Sequence, residues 1–115
     1  MDPQKTYEIL YTETAIQDME EKADYIAYQF QDTSLSLKWY LRLRDAIQKN
    51  LSTMPLKYPL YPVEPWARKG IRQFLFRNDV VLYSVEESRA RVYIRAVCTR
   101  GMDLSAHMAG EKSIE

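Results

Sequence analysis

The sequence predicts an α+β domain of two layers, in which an antiparallel helical hairpin packs on a small, mostly antiparallel sheet. Three observations predict this fold: one short alternating segment, two segments with apolar residues at helical spacing, and three later alternating segments. Two helices that each have an apolar stripe must bury it against a sheet, and the sheet must in turn bury one of its faces. The predicted order is strand, helix, helix, strand, strand, strand (β-α-α-β-β-β). The length of 115 residues fits one domain over residues 1–115, with residues 101–115 expected to form a frayed tail.

The first predicted strand is Thr6 to Tyr11, where apolar and polar residues alternate. Thr12 and Thr14 are both suitable N-caps for the helix that follows, and Gln17 is placed for a capping box from Thr14. The apolar stripe of this helix is expected to face the sheet, because its members recur at three- and four-residue steps. The stripe consists of Ala15, Ile16, Met19, Ala23, Ile26, Ala27 and Phe30.

A second helix is predicted after the segment Gln31 to Ser34, which breaks the first pattern and offers capping side chains. Two helices joined by a short polar turn predict an antiparallel hairpin. The second helix also carries an apolar stripe, expected to face the same sheet. That stripe consists of Trp39, Tyr40, Leu43, Ala46, Ile47, Leu51 and Met54.

The segment from Met54 to Gly70 contains four prolines, which exclude a regular helix or a central strand. It is therefore expected to be a loop that crosses the domain. Its aromatic side chains are expected to hold it against the core, and base stacking is the alternative interpretation. The aromatic residues are Tyr58, Tyr61 and Trp66.

Three further strands are predicted at Ile71 to Arg77, Val80 to Glu86 and Arg91 to Thr99. The first two are separated by Asn78-Asp79, a typical turn pair. Short polar turns between consecutive strands predict an antiparallel meander. The sheet face away from the helices is then expected to be free for polar groups.

Composition limits the class of protein. One cysteine excludes an internal disulfide and favours a reducing compartment, and no apolar run approaches the roughly 18 residues of a membrane span. The predicted location is the cytoplasm, because the N-terminus lacks the apolar core of a signal peptide. Net charge is zero. Between residues 66 and 100, however, basic side chains outnumber acidic ones eight to three. Such a segment is typical of contact with phosphates or an acidic peptide, and an arginine-rich, solvated sheet face is the equally weighted alternative.

No standard catalytic signature is present. The single histidine, His107, and the single cysteine, Cys98, cannot form a metal site of the usual kind, and no metal or other cofactor is predicted. A Cys98–His107 catalytic pair is conceivable, but a packed, inert thiol is the expected state of Cys98. The acidic run on the first helix is more typical of a solvated face than of paired catalytic carboxylates. This run consists of Asp18, Glu20, Glu21 and Asp24.

Four segments in order carry a family resemblance: YTETAIQDMEEKADYI, LSTMP at the end of the second helix, KGIRQFLFRNDVVLYSVEE and VYIRAVCTRGMDL. From about Tyr7 to Met108 the chain resembles the RelE/ParE superfamily, the toxins of type II toxin–antitoxin modules. The resemblance implies the same fold and a growth-arresting toxin with a cognate antitoxin as partner. That antitoxin is expected to dock an acidic, amphipathic helix on the helical hairpin and the basic sheet region.

The target implied by the resemblance is DNA gyrase, because the run Arg-x-x-Asp-Leu from Arg100 resembles the ParE branch, which poisons gyrase. The alternative is a RelE-like, metal-independent endoribonuclease that cuts messenger RNA on the ribosome, with Arg72, Arg100 and His107 as catalytic residues. Members of that branch have an arginine where this chain has Val80. A second alternative is a degenerate, non-toxic protein that only binds an antitoxin. Contacts with the target or with nucleic acid are expected from Arg68, Lys69, Arg77 and Arg95.

Overall fold

The order of elements is as predicted in the computed structural model, which describes residues 5–101. Two short 3-10 helices, Pro55–Lys57 and Glu87–Arg89, lie in the connections. Residues 102–115 of the predicted tail, with His107, lie outside the described residues. The main elements are β1 (Glu8–Tyr11), α1 (Glu13–Phe30), α2 (Thr33–Leu51), β2 (Arg72–Phe76), β3 (Asp79–Glu86) and β4 (Arg91–Thr99).

The four strands form one sheet in the order β1-β4-β3-β2. β1 runs parallel to β4, whereas the other two pairs are antiparallel, so the predicted mostly antiparallel sheet is confirmed. β1 begins at Glu8 rather than at Thr6. The reason is that the amide of Tyr7 donates to the carbonyl of Ser52, 2.7 Å away, which ties this part of the chain to the end of α2 instead of to β4.

The turn between β2 and β3 lies one residue earlier than predicted. Phe76 pairs with Asp79, so the turn residues are Arg77 and Asn78, and Arg77 takes a left-handed φ of 55°. Asp79 belongs to the strand because its carboxylate is buried against Trp39, whose indole Nε1 donates to it at 2.8 Å. A contact from a distant helix therefore decides which residues form this turn.

Side-chain caps begin both helices. Thr12, not Thr14, caps α1, and its Oγ1 accepts from the amide of Ala15 at 3.2 Å. The same hydroxyl donates to the carbonyl of Ile94, which fixes the start of α1 to β4. Asp32 caps α2 by accepting from the amide of Ser34 at 2.8 Å, as the capping segment predicted.

The main core lies between the helical hairpin and one face of the sheet. The predicted stripes reach this core only in part, because Ile16, Phe30 and Met54 are 46%, 62% and 54% exposed. A helix of 18 residues is about 27 Å long, whereas a strand of 5 residues is about 17 Å. The helices thus extend beyond the short strand β2, although β3 and β4, with 8 and 9 residues, are about as long as the helices. Helix residues in the core are Ala15, Met19, Leu43, Ala46, Ile47 and Leu51.

The opposite face of the sheet is not free, contrary to expectation, because the proline-rich segment covers part of it. Tyr61 and Trp66 form a second buried cluster with sheet residues there. The segment also borders β2: the amide of Gln73 donates to the carbonyl of Pro59 at 3.0 Å. Tyr58 lies on the helix side instead, next to the ring of Phe74. The aromatic residues hold the segment in place, as predicted. The other members of the second cluster are Ile71, which precedes β2, and the sheet residues Val80, Leu82, Ala96 and Cys98.

Within residues 5–101, neither helix combines the length and the apolar character that crossing a membrane would require.

Candidate functional site

A β-bulge in β4 sets the position of Arg95. The register pairs Tyr83 with Ile94 and Leu82 with Ala96, so that Arg95 is the extra residue of the bulge. The bulge reverses the alternation of side chains along β4. Because of this reversal, alternation in the sequence does not assign the side chains of β4 to one face or the other of the sheet.

Arg95 contributes to a cleft on the sheet face away from the helices. The Arg95 side chain is buried, its Nε donates to Ser84 Oγ at 3.1 Å, and its guanidinium carbon lies 5.3 Å from the ring centre of Tyr93. Lys69 and Arg91 line the same cleft, which has a volume of about 650 Å³. Two carboxylates also line it, so the cleft is of mixed charge. The remaining lining residues are Leu10, Tyr11, Thr12, Glu13, Val85 and Glu86.

Arg72 lies on the other face of the sheet. It pairs in register with Tyr83, a residue of the helix-side core, and directly opposed residues share a face. Its Nη1 donates to the carbonyls of Tyr58 at 2.5 Å and Leu56 at 3.4 Å. In this structure the guanidinium therefore holds the backbone that follows α2.

The remaining predicted cationic residues lie elsewhere. Arg77 and Arg100 are exposed at one end of the sheet, where the amide of Arg100 donates to the carbonyl of Asn78 at 3.0 Å. Arg68 lies on the proline-rich segment, with its Nε 3.7 Å from Glu64 Oε2. The structure thus brings together Lys69 with Arg95, and Arg77 with Arg100. Arg68 is next to Lys69 in sequence but does not line the cleft, and Arg72 lies on the other face of the sheet.

The position at which ribonucleases of the superfamily would have an arginine is occupied by a buried valine. Val80 is 4% exposed and packs in the cluster that contains Tyr61 and Trp66. Cys98 lies in the same cluster, and burial raises the pKa of its thiol to about 12. A buried thiol with this pKa is inert near neutral pH, as the sequence predicted. Among the described residues, no group of three or more metal-ligating side chains comes together.

Sequence reasoning missed a groove between β1 and the helical hairpin, which we call the helix groove. It has a volume of about 350 Å³. Arg44 lies at this groove with its guanidinium carbon 4.8 Å from the ring centre of Tyr11 and 5.7 Å from that of Tyr40. Its Nη1 also donates to the Tyr40 hydroxyl at 3.1 Å. The i, i+4 spacing of Tyr40 and Arg44 was the available signal. The helix groove is lined by Ile9, Leu10, Tyr11, Ile16, Met19, Glu20, Tyr40 and Arg44.

Two solved structures share this fold. One is the toxin–antitoxin complex RelBE2 from Mycobacterium tuberculosis, with a TM-score of 0.65 and 19% identity, covering 89% of this chain and 100% of that chain. The other is the chromosomal ParDE TA system from P. aeruginosa, with a TM-score of 0.66 and 17% identity, covering 83% of this chain and 97% of that chain. A hairpin of two helices on a four-stranded sheet thus defines the class as the RelE/ParE fold.

The particular family follows from the sequence. The family described as "ParE toxin of type II toxin-antitoxin system, parDE" matches residues 9–104, and the chain belongs to that family. No curated protein matches the chain. The predicted resemblance to the RelE/ParE superfamily is confirmed.

Proposed function

We propose that this chain arrests growth by acting on DNA gyrase, as expected for the ParE branch of the superfamily. One observation carries the choice of target: the cationic residues that a ribonuclease would need do not converge on one point. Arg72 faces the helix layer and is bonded to backbone carbonyls. Arg100 lies at the end of the sheet, and the third position is the buried Val80.

Convergence matters because RNA cleavage without a metal depends on donors fixed around the scissile phosphate. Such groups stabilise the charge that develops in the transition state only when they lie within hydrogen-bond distance of the same oxygens. A guanidinium on the opposite face of the sheet cannot reach those oxygens. The apolar cluster around Val80, with Trp66 over the sheet, also leaves that part of the face unsuited to a polyanion.

The partner that we propose is a cognate antitoxin docked on the helical hairpin. The hairpin exposes apolar side chains beyond the edge of the core, including Leu37 at 57% and Leu41 at 55%. The two similar solved structures come from toxin–antitoxin systems by their titles, which supports a partner of the same kind for this chain. An amphipathic helix would cover these side chains.

The test of the target is induced expression of the wild type and of Arg100→Ala, with DNA damage and message cleavage followed together. We expect growth arrest with an induced DNA damage response, gyrase–DNA cleavage complexes with purified gyrase, and an intact reporter message by primer extension. Discrete, ribosome-dependent cuts in the message that vanish in Arg100→Ala would contradict the gyrase proposal.

One observation favours the ribonuclease as a second candidate, namely the cleft that holds Lys69, Arg91 and Arg95. If the chain cuts RNA there, Lys69→Ala should lower cleavage by on the order of 10²–10³, the usual loss for one transition-state donor. Arg68→Ala is the matched control, because Arg68 lies outside this cleft. Normal growth with neither effect would support the degenerate, antitoxin-binding alternative.

A further inference from the structure

We infer that Arg44 selects the partner by binding a carboxylate from a protein segment that enters the helix groove. The inference rests on the proposed function, in which an antitoxin docks on the helical hairpin. It adds the chemistry of the partner segment, which is apolar and has one acidic side chain opposite Arg44.

The position of Arg44 is fixed before any partner arrives. Its guanidinium lies against the rings of Tyr11 and Tyr40, 4.8 and 5.7 Å from their centres, and the Tyr40 hydroxyl accepts one of its hydrogen bonds. A side chain held in this way loses less conformational entropy on binding than a free one. The planar group still has donors left for a carboxylate, which it can bind in a two-pronged manner.

Arg44 has no carboxylate of its own within ion-pair distance in residues 5–101. The ion pairs of the described chain are formed by other basic residues, although Glu20 lines the same groove. An arginine with tyrosine partners and no carboxylate partner is complementary to an acidic group from outside. The positive charge of Arg44 therefore indicates a carboxylate on the partner.

The surroundings of Arg44 favour a protein segment over a nucleic acid. Ile16 is 46% exposed beside the groove. Leu37 and Leu41 precede Arg44 by seven and three positions, so they share its helix face. A polyanion would meet this apolar surface and the carboxylate of Glu20. An apolar segment with a single carboxylate avoids the first penalty, because its apolar side chains cover the leucines, and it brings only one negative charge near Glu20.

The experiment uses the full chain and the purified protein encoded by the reading frame adjacent to its gene, with affinity measured by calorimetry at two salt concentrations. Arg44→Gln should bind roughly 10- to 100-fold more weakly, the loss expected for a hydrogen bond to a charged group. Arg44→Lys should recover only part of the affinity, because an ammonium lacks the planar pair of donors. The matched control is Arg42→Gln on another face of the same helix, which should change affinity by about twofold at most.

A second measurement distinguishes the loss of the Arg44 contact from a folding defect in the variant. Each acidic residue of the adjacent protein is changed to its amide, and one of these variants should lose affinity for wild type but not for Arg44→Gln. No binding to wild type would refute the proposed function and the inference with it. Equal binding by wild type and Arg44→Gln would refute the inference alone. A concentration-dependent dimer of this chain, lost in Arg44→Gln by light scattering, would identify a second copy as the occupant and also overturn it.

Discussion

At the scale of single residues, Asp79 holds three elements together through one buried carboxylate. Trp39 of α2 donates to its Oδ2, and Lys22 of α1 donates to its Oδ1 and to Thr99 Oγ1 of β4. The side chain of Asp79 is 3% exposed and that of Lys22 is 20% exposed. The ammonium of Lys22 also lies 5.5 Å from the ring centre of Trp39. Both charges are thus paired and hydrogen-bonded, as buried charges must be.

Asp79→Ala should lower the free energy of unfolding by about 3–5 kcal/mol, because it leaves the partly buried ammonium of Lys22 and the indole N–H of Trp39 without their common partner. The measurement is urea denaturation followed by tryptophan fluorescence. The control is Asp45→Ala, which removes an exposed i, i+4 pair with Lys49 and should cost less than about 1 kcal/mol. Similar losses in the two variants would show that the Lys22–Asp79 pair contributes no more than a surface pair.

Asp18 has a comparable role at the edge of β4. β1 pairs with β4 only as far as Ile94, so the β4 edge beyond that residue lacks a neighbouring strand. The carboxylate of Asp18 accepts from the amide of Val97 at 2.9 Å, which satisfies a donor on this edge. The expectation of a fully solvated acidic run on the first helix is therefore wrong for Asp18. Its side chain completes the backbone bonding of a strand that lies far away in sequence.

At the scale of elements, the proline-rich segment takes the place of a second layer on the sheet face away from the helices. It has little regular structure, yet Tyr61 and Trp66 are 9% and 6% exposed. The amide of Tyr61 donates to the carbonyl of Ile71 at 2.8 Å, which attaches the segment to the start of β2. The aromatic rings bury more apolar area than the other side chains of such a short segment could.

Trp66→Ala should cost about 3–5 kcal/mol of stability, because it removes a large buried ring and opens a cavity over the sheet. Leu75→Ala is the matched control, since Leu75 belongs to β2 but is 49% exposed. It should cost less than about 1 kcal/mol by the same urea titration. If the two variants lose the same stability, the segment does not act as a cover for the sheet.

At the scale of the whole molecule, burial of ionisable groups makes stability depend on alkaline pH. Cys98 and Tyr83 are 2% and 0% exposed. Desolvation raises the pKa of Cys98 to about 12 and raises the pKa of Tyr83 well above its usual value. The Tyr83 hydroxyl donates to the carbonyl of Pro55 at 2.5 Å. In the folded state both groups stay protonated at pH values at which they ionise in the unfolded chain.

We expect stability to fall as pH rises above about 9, because the unfolded state then releases protons that the folded state keeps. Each such proton lowers the free energy of unfolding by about 1.4 kcal/mol per pH unit. Urea midpoints at pH 7, 9, 10 and 11 under reducing conditions measure the slope. Cys98→Ala should be less steep between pH 9 and 11, whatever its stability at pH 7. Identical slopes for wild type and Cys98→Ala would contradict this prediction.

Much of the fold could be predicted from local pattern. The spacing of apolar residues fixes the two helices, Asp32 fixes the start of α2, and the prolines keep the segment after α2 irregular. These features depend on neighbours within a few positions, so a single sequence carries them. The order of the segments from Tyr11 to Leu104 was also sufficient for the family resemblance.

The candidate site depended on contacts between residues that are distant in sequence, and only the tertiary structure decided it. The bulge at Arg95 reverses the alternation of β4, because one extra residue changes the face of every later side chain. Arg72 lies on the face towards the helix layer because it pairs with Tyr83, and there it bonds the carbonyls of Leu56 and Tyr58. Arg44 lies in the helix groove because the pairing of β1 with β4 places Tyr11 beside α2. Periodicity is a local property of the chain, whereas the face on which a guanidinium lies is decided by partners that folding brings together.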